Sequence, residues 1–193
     1  MCGRYSIMDE EDQMEIRQIL HEVSARFQNT SKLEQMKTGE IFPTNIAPIL
    51  IHTAGETVPD LFKWGFPRWD GKGVIINARA ETALEKPMFR ESLLARKCII
   101  PTTGFYEWKT ENGKKTKYLF RIPNDGVLYL AGIFHRTEDS FTILTTDANP
   151  SMSLYHSRMP VILRREELGD WLQNVRTSEF LNRMQPEVVG TLA

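Results

Sequence analysis

The chain has 193 residues, 41% hydrophobic and 25% charged, with 24 Lys plus Arg against 25 Asp plus Glu and a formal net charge of -1. That balance fits one globular domain with a core and a pocket, and it excludes a nucleic-acid binder that works by overall basic charge; such a role needs a local basic groove. No apolar run approaches the roughly 20 residues of a spanning helix, and Cys2 and Cys98 are too few for a disulfide scaffold, so both read as free thiols of a reducing, cytoplasmic compartment.

The start, "MCGRYSIMDEED", turns acidic where a signal peptide needs an apolar stretch. Ile16, Leu20, Val23 and Phe27 then recur at helical spacing, with Asp9 as the expected cap and acids in the first turn. The stretch "NTSKLEQMKTGEIFPTNIAP" reads as a long, mostly irregular connection. Strands are expected at "ILIHT" and "TVPDLFKWGF", followed by a Gly/Asp-rich turn and the apolar run "VIINARA". "KPMFRESLLARK" predicts a helix with Pro87 in its first turn. A series of strands follows at "CIIP", "GFYEWKTENGKKTKYLFRI", "GVLYLAGIF" and "SFTILTT", with Asn112-Gly113 marking a hairpin. The tail carries "MPVIL", a helix at "REELGDWLQ" and another near "SEFLNRMQ". Meandering strands with helices at both ends predict one α+β domain whose sheets curl towards a barrel.

Cys2 is the residue whose chemistry stands out. Methionine aminopeptidase normally removes Met1 before a residue this small, leaving a free 1,2-aminothiol. An α-amino group has a pKa near ~7.7–8.0 against ~10.4 for lysine, so its neutral fraction at pH 7 is larger by roughly a few hundredfold. Amine and thiol together can capture an aldehyde as a Schiff base that closes to a five-membered thiazolidine. The same pair can also serve as a hydrolytic N-terminal nucleophile. In an extended start Arg4 shares a face with Cys2, where it can bind phosphate or a surface acid. Asn77 and Arg79 end an apolar run; Asn77 suits a helix cap or the orientation of a reacting group, and Arg79 a phosphate. In "GFYEWK" the alternation puts Tyr106 and Trp108 on one face, Phe105 and Glu107 on the other. A glutamate among aromatics is pushed towards its neutral form, which suits general acid/base work or burial against an arginine. His156 precedes an apolar strand and can move a proton near neutral pH or serve structure alone. His21, His52 and His135 lack metal-ligand spacing, so no metal is expected. Trp64 reads as core, Trp69 as an exposed stacking platform, and Lys109, Lys114, Lys115 and Lys117 as the solvated face of a hairpin.

In order along the chain, "CGRY", "NIAP", "WG", "NARAET", "CIIPTTGFYEW" and "HSRMPVIL" resemble the SRAP family, the SOS response-associated peptidase domain, from Cys2 to about Trp171. The resemblance implies a single α+β domain over residues 1–193, with curled, barrel-like antiparallel sheets flanked by helices and a channel for single-stranded DNA. In the family the N-terminal cysteine bonds covalently to abasic sites through a thiazolidine, a lyase-type crosslinking chemistry of the DNA-damage response. Carried over by motif, Cys2 is the nucleophile, Asn77 positions its amine, Glu107 relays protons, and His156 assists opening of the deoxyribose ring. Arg4, Arg79 and Arg158 match phosphate contacts, while Pro48 and Trp69 match residues that pack against the displaced backbone and base. The implied partner is single-stranded DNA with abasic sites, with the replication machinery at one remove; no cofactor, metal or membrane is implied. The expected molecule is a monomer in the cytoplasm, nucleoid-associated when on DNA. The family's peptidase name reflects a proposed self-removal of Met1 through Cys2, Asn77 and Glu107. A cysteine peptidase of that kind and a non-covalent reader of modified DNA are the alternatives. Two departures stand out: "WGFPRW" is one residue shorter than usual, and Phe42-Pro43-Thr44 stands where an arginine-tyrosine pair is common.

Overall fold

From Cys2 the backbone runs extended into β1 (Arg4–Ile7), whose Tyr5 and Ile7 are buried. The structure, a computed structural model, describes residues 2–9, 13–123 and 126–193. Ile16, Ile19 and Val23 line the buried face of α1 (Met14–Arg26). The acidic run does not start this helix as expected. Intrahelical bonding begins at the Gln13 carbonyl, too late for Asp9 to cap, and Asp9 instead pairs with Arg17 at 3.2 Å. Glu10, Glu11 and Asp12, the expected first-turn acids, lie outside the described residues. The connection after α1 is more ordered than its composition predicts. Thr30 caps α2 (Ser31–Gln35), and β2 (Gly39–Ile41) pairs with β1, setting Tyr5 opposite Ile41.

Next come β3 (Ile46–Thr53) and β4 (Glu56–Trp64), a tight antiparallel pair. A small hairpin follows, β5 (Phe66–Pro67) and β6 (Val74–Ile75), and then β7 (Asn77–Arg79) and α3 (Pro87–Ala95) with Pro87 at its first turn as expected. The strand run is β8 (Lys97–Thr102), β9 (Gly104–Glu111), β10 (Lys114–Arg121), β11 (Leu128–His135) and β12 (Ser140–Asp147). Asn112 and Gly113, both at positive φ, make the β9–β10 turn. The tail adds α4 (Pro150–Ser153), β13 (Arg158–Pro160), β14 (Ile162–Leu163), α5 (Leu168–Leu172), α6 (Thr177–Asn182) and a closing strand, β15 (Val189–Leu192).

The pairing closes a barrel. β12 lies beside β4, β4 beside β3, β3 beside β8, β8 beside β11, and β11 again beside β12. The closure is not wholly antiparallel, because β12 runs parallel to both β4 and β7. Phe141 pairs with Trp64 and Ile143 with Asn77, so β4 and β7 share one edge of β12 and the β5–β6 hairpin is an excursion between them. A second sheet, β15-β10-β9-β1-β2, packs on this barrel, with the Tyr5 ring edge-on to Trp64 at 5.0 Å. The chain crosses between the sheets at Thr102–Gly104. There the Thr102 hydroxyl meets the Ser6 and Gly104 carbonyls at 2.6 and 2.7 Å, fixing where β9 starts.

Barrel closure requires a close approach at Gly132 on β11. A Cβ there would lie 2.4 Å from Ile100 Cδ1 and 3.0 Å from the Thr142 carbonyl oxygen. Gly132→Ala is therefore expected to lower unfolding free energy by about 1–3 kcal/mol in urea denaturation; wild-type stability would show that the strands part there freely.

Candidate active site

Cys2 is fully buried where the second sheet meets the barrel. Two strands hold it. β1 is registered on β9, Arg4 opposite Tyr106 and Tyr5 opposite Phe105, and the Asn77 side-chain amide donates to the Cys2 carbonyl at 2.9 Å. Asn77 opens β7, so the shared edge of β12 is what delivers its amide. Its Oδ1 is buried and accepts no hydrogen bond among the described residues, leaving an acceptor beside Cys2. Burial pushes the Cys2 thiol well above its ordinary range, and the nearby Glu107 charge pushes the same way. The thiol makes a weak contact of 3.8 Å to the Arg4 carbonyl.

Glu107 lies on β9, opposite Tyr118 and only 3% exposed. Burial raises its carboxyl pKa above the ordinary value, and the His156 charge offsets part of that. The expected aromatic setting is present: Phe105 stacks on Phe120 at 5.3 Å, and Tyr155 meets Phe120 at 5.0 Å and Tyr118 at 4.8 Å. Sequence reading missed Tyr155, whose ring seats the turn carrying His156 against β10; adjacency to His156 was the available signal. The His156 Nδ1 accepts the Arg158 backbone N–H at 2.9 Å. In the neutral imidazole that bond leaves the proton on Nε2.

The three arginines differ. Arg79 is exposed and has no acidic partner among the described residues. The Arg4 guanidinium lies 4.0 Å over the Phe42 ring and 5.2 Å from that of Trp108, and pairs with Glu40 at 3.2 Å. Glu40 also bonds Lys117, so this lysine is not merely a solvated hairpin residue. Arg158 forms a fork with Glu81 at 3.0 and 2.8 Å, meets Asp147 at 2.6 Å and donates to the Thr145 carbonyl at 2.8 Å. Glu81 stands out in "INARAET" beside Asn77 and Arg79, but the sequence alone assigns it no role. Pro48 is buried in β3 opposite Leu61, while Trp69 stands 89% exposed between β5 and β6. Among the described residues no cluster of three His, Cys, Asp or Glu could hold a metal, and no helix is long and apolar enough to cross a membrane.

The family model described as SOS response associated peptidase (SRAP) matches residues 1–190. The chain belongs to the SRAP family. The abasic site processing protein YoaM of Bacillus subtilis is 32% identical over 195 residues, spanning 92% of this chain and 82% of that protein. The abasic site processing protein HMCES of Xenopus tropicalis is 29% identical over 139 residues, 57% of this SRAP chain and 42% of its own. A crystal structure of a Bacteroides thetaiotaomicron protein superposes with a TM-score of 0.75 at 27% identity, covering 99% of this chain and 91% of that one. The barrel with its second sheet is thus a SRAP fold.

A buried carboxyl with a raised pKa binds a proton more tightly folded than unfolded, so stability falls as pH rises from the ordinary carboxylate range through the folded value. Glu107→Gln is therefore expected to raise Tm at neutral pH and to leave it unchanged near pH 4. A Tm gain of equal size at both pH values would contradict the assigned burial cost.

Proposed function

We propose that this SRAP chain captures abasic sites in single-stranded DNA, forming a thiazolidine through Cys2 once Met1 is removed. The observation that carries the reading is the Asn77 amide on the Cys2 carbonyl, which fixes a would-be 1,2-aminothiol beside a buried carboxyl and a histidine. Several relatives are named abasic site processing proteins, which supports the same substrate.

An abasic sugar is mostly a closed hemiacetal with a little free aldehyde. His156 takes the proton from the anomeric hydroxyl and hands it to the departing ring oxygen, which opens the sugar to its aldehyde with no net proton change. The Cys2 amine adds to the aldehyde carbon; Glu107 protonates the departing hydroxyl and then takes the N–H proton back from the iminium, so water leaves, a neutral C=N bond forms and Glu107 is protonated again. The thiol sulfur then adds to that carbon while its proton passes to the nitrogen, closing the ring. Asn77 Oδ1 is placed to accept from the amine and keep its lone pair aimed at the substrate. Arg79 is the cation open to a flanking phosphate. Arg4 and Arg158, already engaged with carboxylates, add positive field and hold the Cys2 strand and the His156 turn. Trp69 offers an exposed stacking face, while Pro48 lies buried within β3 opposite Leu61.

Purified protein incubated with an abasic oligonucleotide should give a heat-stable shifted band on a denaturing gel. Cys2→Ala should abolish it, and Asn77→Ala should slow its formation by roughly tenfold to a hundredfold. A band of equal intensity from Cys2→Ala sinks the proposal. A second reading, self-removal of Met1, rests on the same carboxyl acting on the Cys2 thiol. Retention of Met1 in Glu107→Ala, read by intact mass, favours it; loss of Met1 from that variant and from Cys2→Ala assigns the step to an aminopeptidase.

A further inference from the structure

We propose that Lys117 binds the DNA strand, sharing a backbone phosphate with Arg4, and that Glu40 is the internal anion the strand displaces from this pair. The inference rests on the reading of this chain as an abasic-site protein. Four strands build the seat on one face of the second sheet. Arg4 on β1 lies opposite Tyr106 on β9, and Lys117 on β10 lies opposite Trp108. Glu40 on β2 lies opposite Ser6, which follows Arg4 by two residues on β1. Residues directly opposite, and residues two apart on a strand, share a face. Arg4, Glu40 and Lys117 therefore stand together on the side of the sheet away from Glu107.

Each cation rests on an aromatic ring. The Arg4 guanidinium lies 4.0 Å over Phe42, and the Lys117 ammonium lies 4.1 Å over Tyr106. One carboxylate answers both charges, since Glu40 bonds Lys117 and meets Arg4 at 3.2 Å. Neither cation has a second carboxylate partner among the described residues, so the cluster stays net positive.

The hold on Arg4 is loose. It is a single contact, and Arg4 Nε is buried without a hydrogen-bond partner among the described residues. Arg158, by contrast, meets Glu81 at 3.0 and 2.8 Å, Asp147 at 2.6 Å and the Thr145 carbonyl at 2.8 Å, and is locked. Lys117, ahead of Arg4, holds the Glu40 carboxyl below the usual carboxylate range, so Glu40 is a fixed anion with its charge on two oxygens. A phosphodiester presents the same charge on two free oxygens and can take its place on both cations. The Glu40 side chain is 30% exposed and can turn to water, while counterions released from the strand favour the exchange. Arg4 follows Cys2 by two residues, so a phosphate seated here lies on the strand presented to Cys2.

The test is fluorescence anisotropy with an undamaged single-stranded oligonucleotide over a range of salt concentrations. Glu40→Gln, which keeps the shape and drops the charge, should bind at least about threefold tighter at low salt, because no ion pair has to break. Lys117→Met should weaken binding and flatten the slope of log affinity against log salt by about 0.7, the share of one phosphate on a single strand. The gain from Glu40→Gln should also shrink in Lys117→Met protein. Glu40→Gln that binds no tighter, or a Lys117→Met slope equal to that of wild type, overturns the seat and leaves a structural ion pair. An undiminished gain in the Lys117→Met background means general repulsion by Glu40, and displacement falls. Wild-type protein that shows the expected differences yet forms no adduct with abasic DNA defeats the capture chemistry and leaves the seat standing. Adduct formation with both variants binding like wild type does the reverse.

Discussion

The hydrogen bond from Asn77 to the Cys2 carbonyl is the contact on which the site depends, because it ties the start of the chain to the barrel. A chain end ordinarily frays, and a side chain mounted on one needs outside support to stay in place. Two independent registers supply that support. β9 pairs along β1, and β7 lies on β12 where β4 has just left it. The parallel edge of β12 thus has a chemical consequence, since it delivers Asn77 to within 2.9 Å of the second residue.

Electrostatics divides the remaining work. Near Cys2 the environment is dry, and the Glu107 carboxyl is held towards its protonated form. Further out, Glu81, Asp147 and Arg158 make a network whose backbone fixes the His156 tautomer. A net charge of -1 leaves little general attraction for DNA. Under the proposed function, binding comes from local cations such as Arg79 and from stacking surfaces such as Trp69, rather than from a diffuse basic face.

Much of this was legible in the sequence where a local rule decides the outcome. The helical spacing of Ile16 and Val23, Pro87 at a helix start, the Asn112-Gly113 turn and the alternation that buries Glu107 with Phe105 are each set within a few residues. What was not legible depends on distant partners. The acids near Asp9 suit a helix cap and a surface ion pair equally well, and only the position of Arg17 decides between them. The engagement of Arg158 by Glu81 joins residues 77 positions apart, and nothing in either motif announces the other. The same holds for β15, whose Leu192 finds its register only against Tyr118, and for the parallel closure of the barrel. The motifs named Cys2, Asn77, Glu107 and His156. The structure brings Asn77 onto Cys2 and sets Glu107 within electrostatic reach of both Cys2 and His156.

The most direct test of the central claim is the mass of the N-terminal peptide after reaction with an abasic oligonucleotide and digestion of protein and DNA. The account predicts an adduct on a peptide that begins at Cys2, heavier by the sugar remnant less one water, with no free thiol left to alkylate. An adduct on a lysine, on a peptide that still carries Met1, or with the Cys2 thiol still open to alkylation would contradict it.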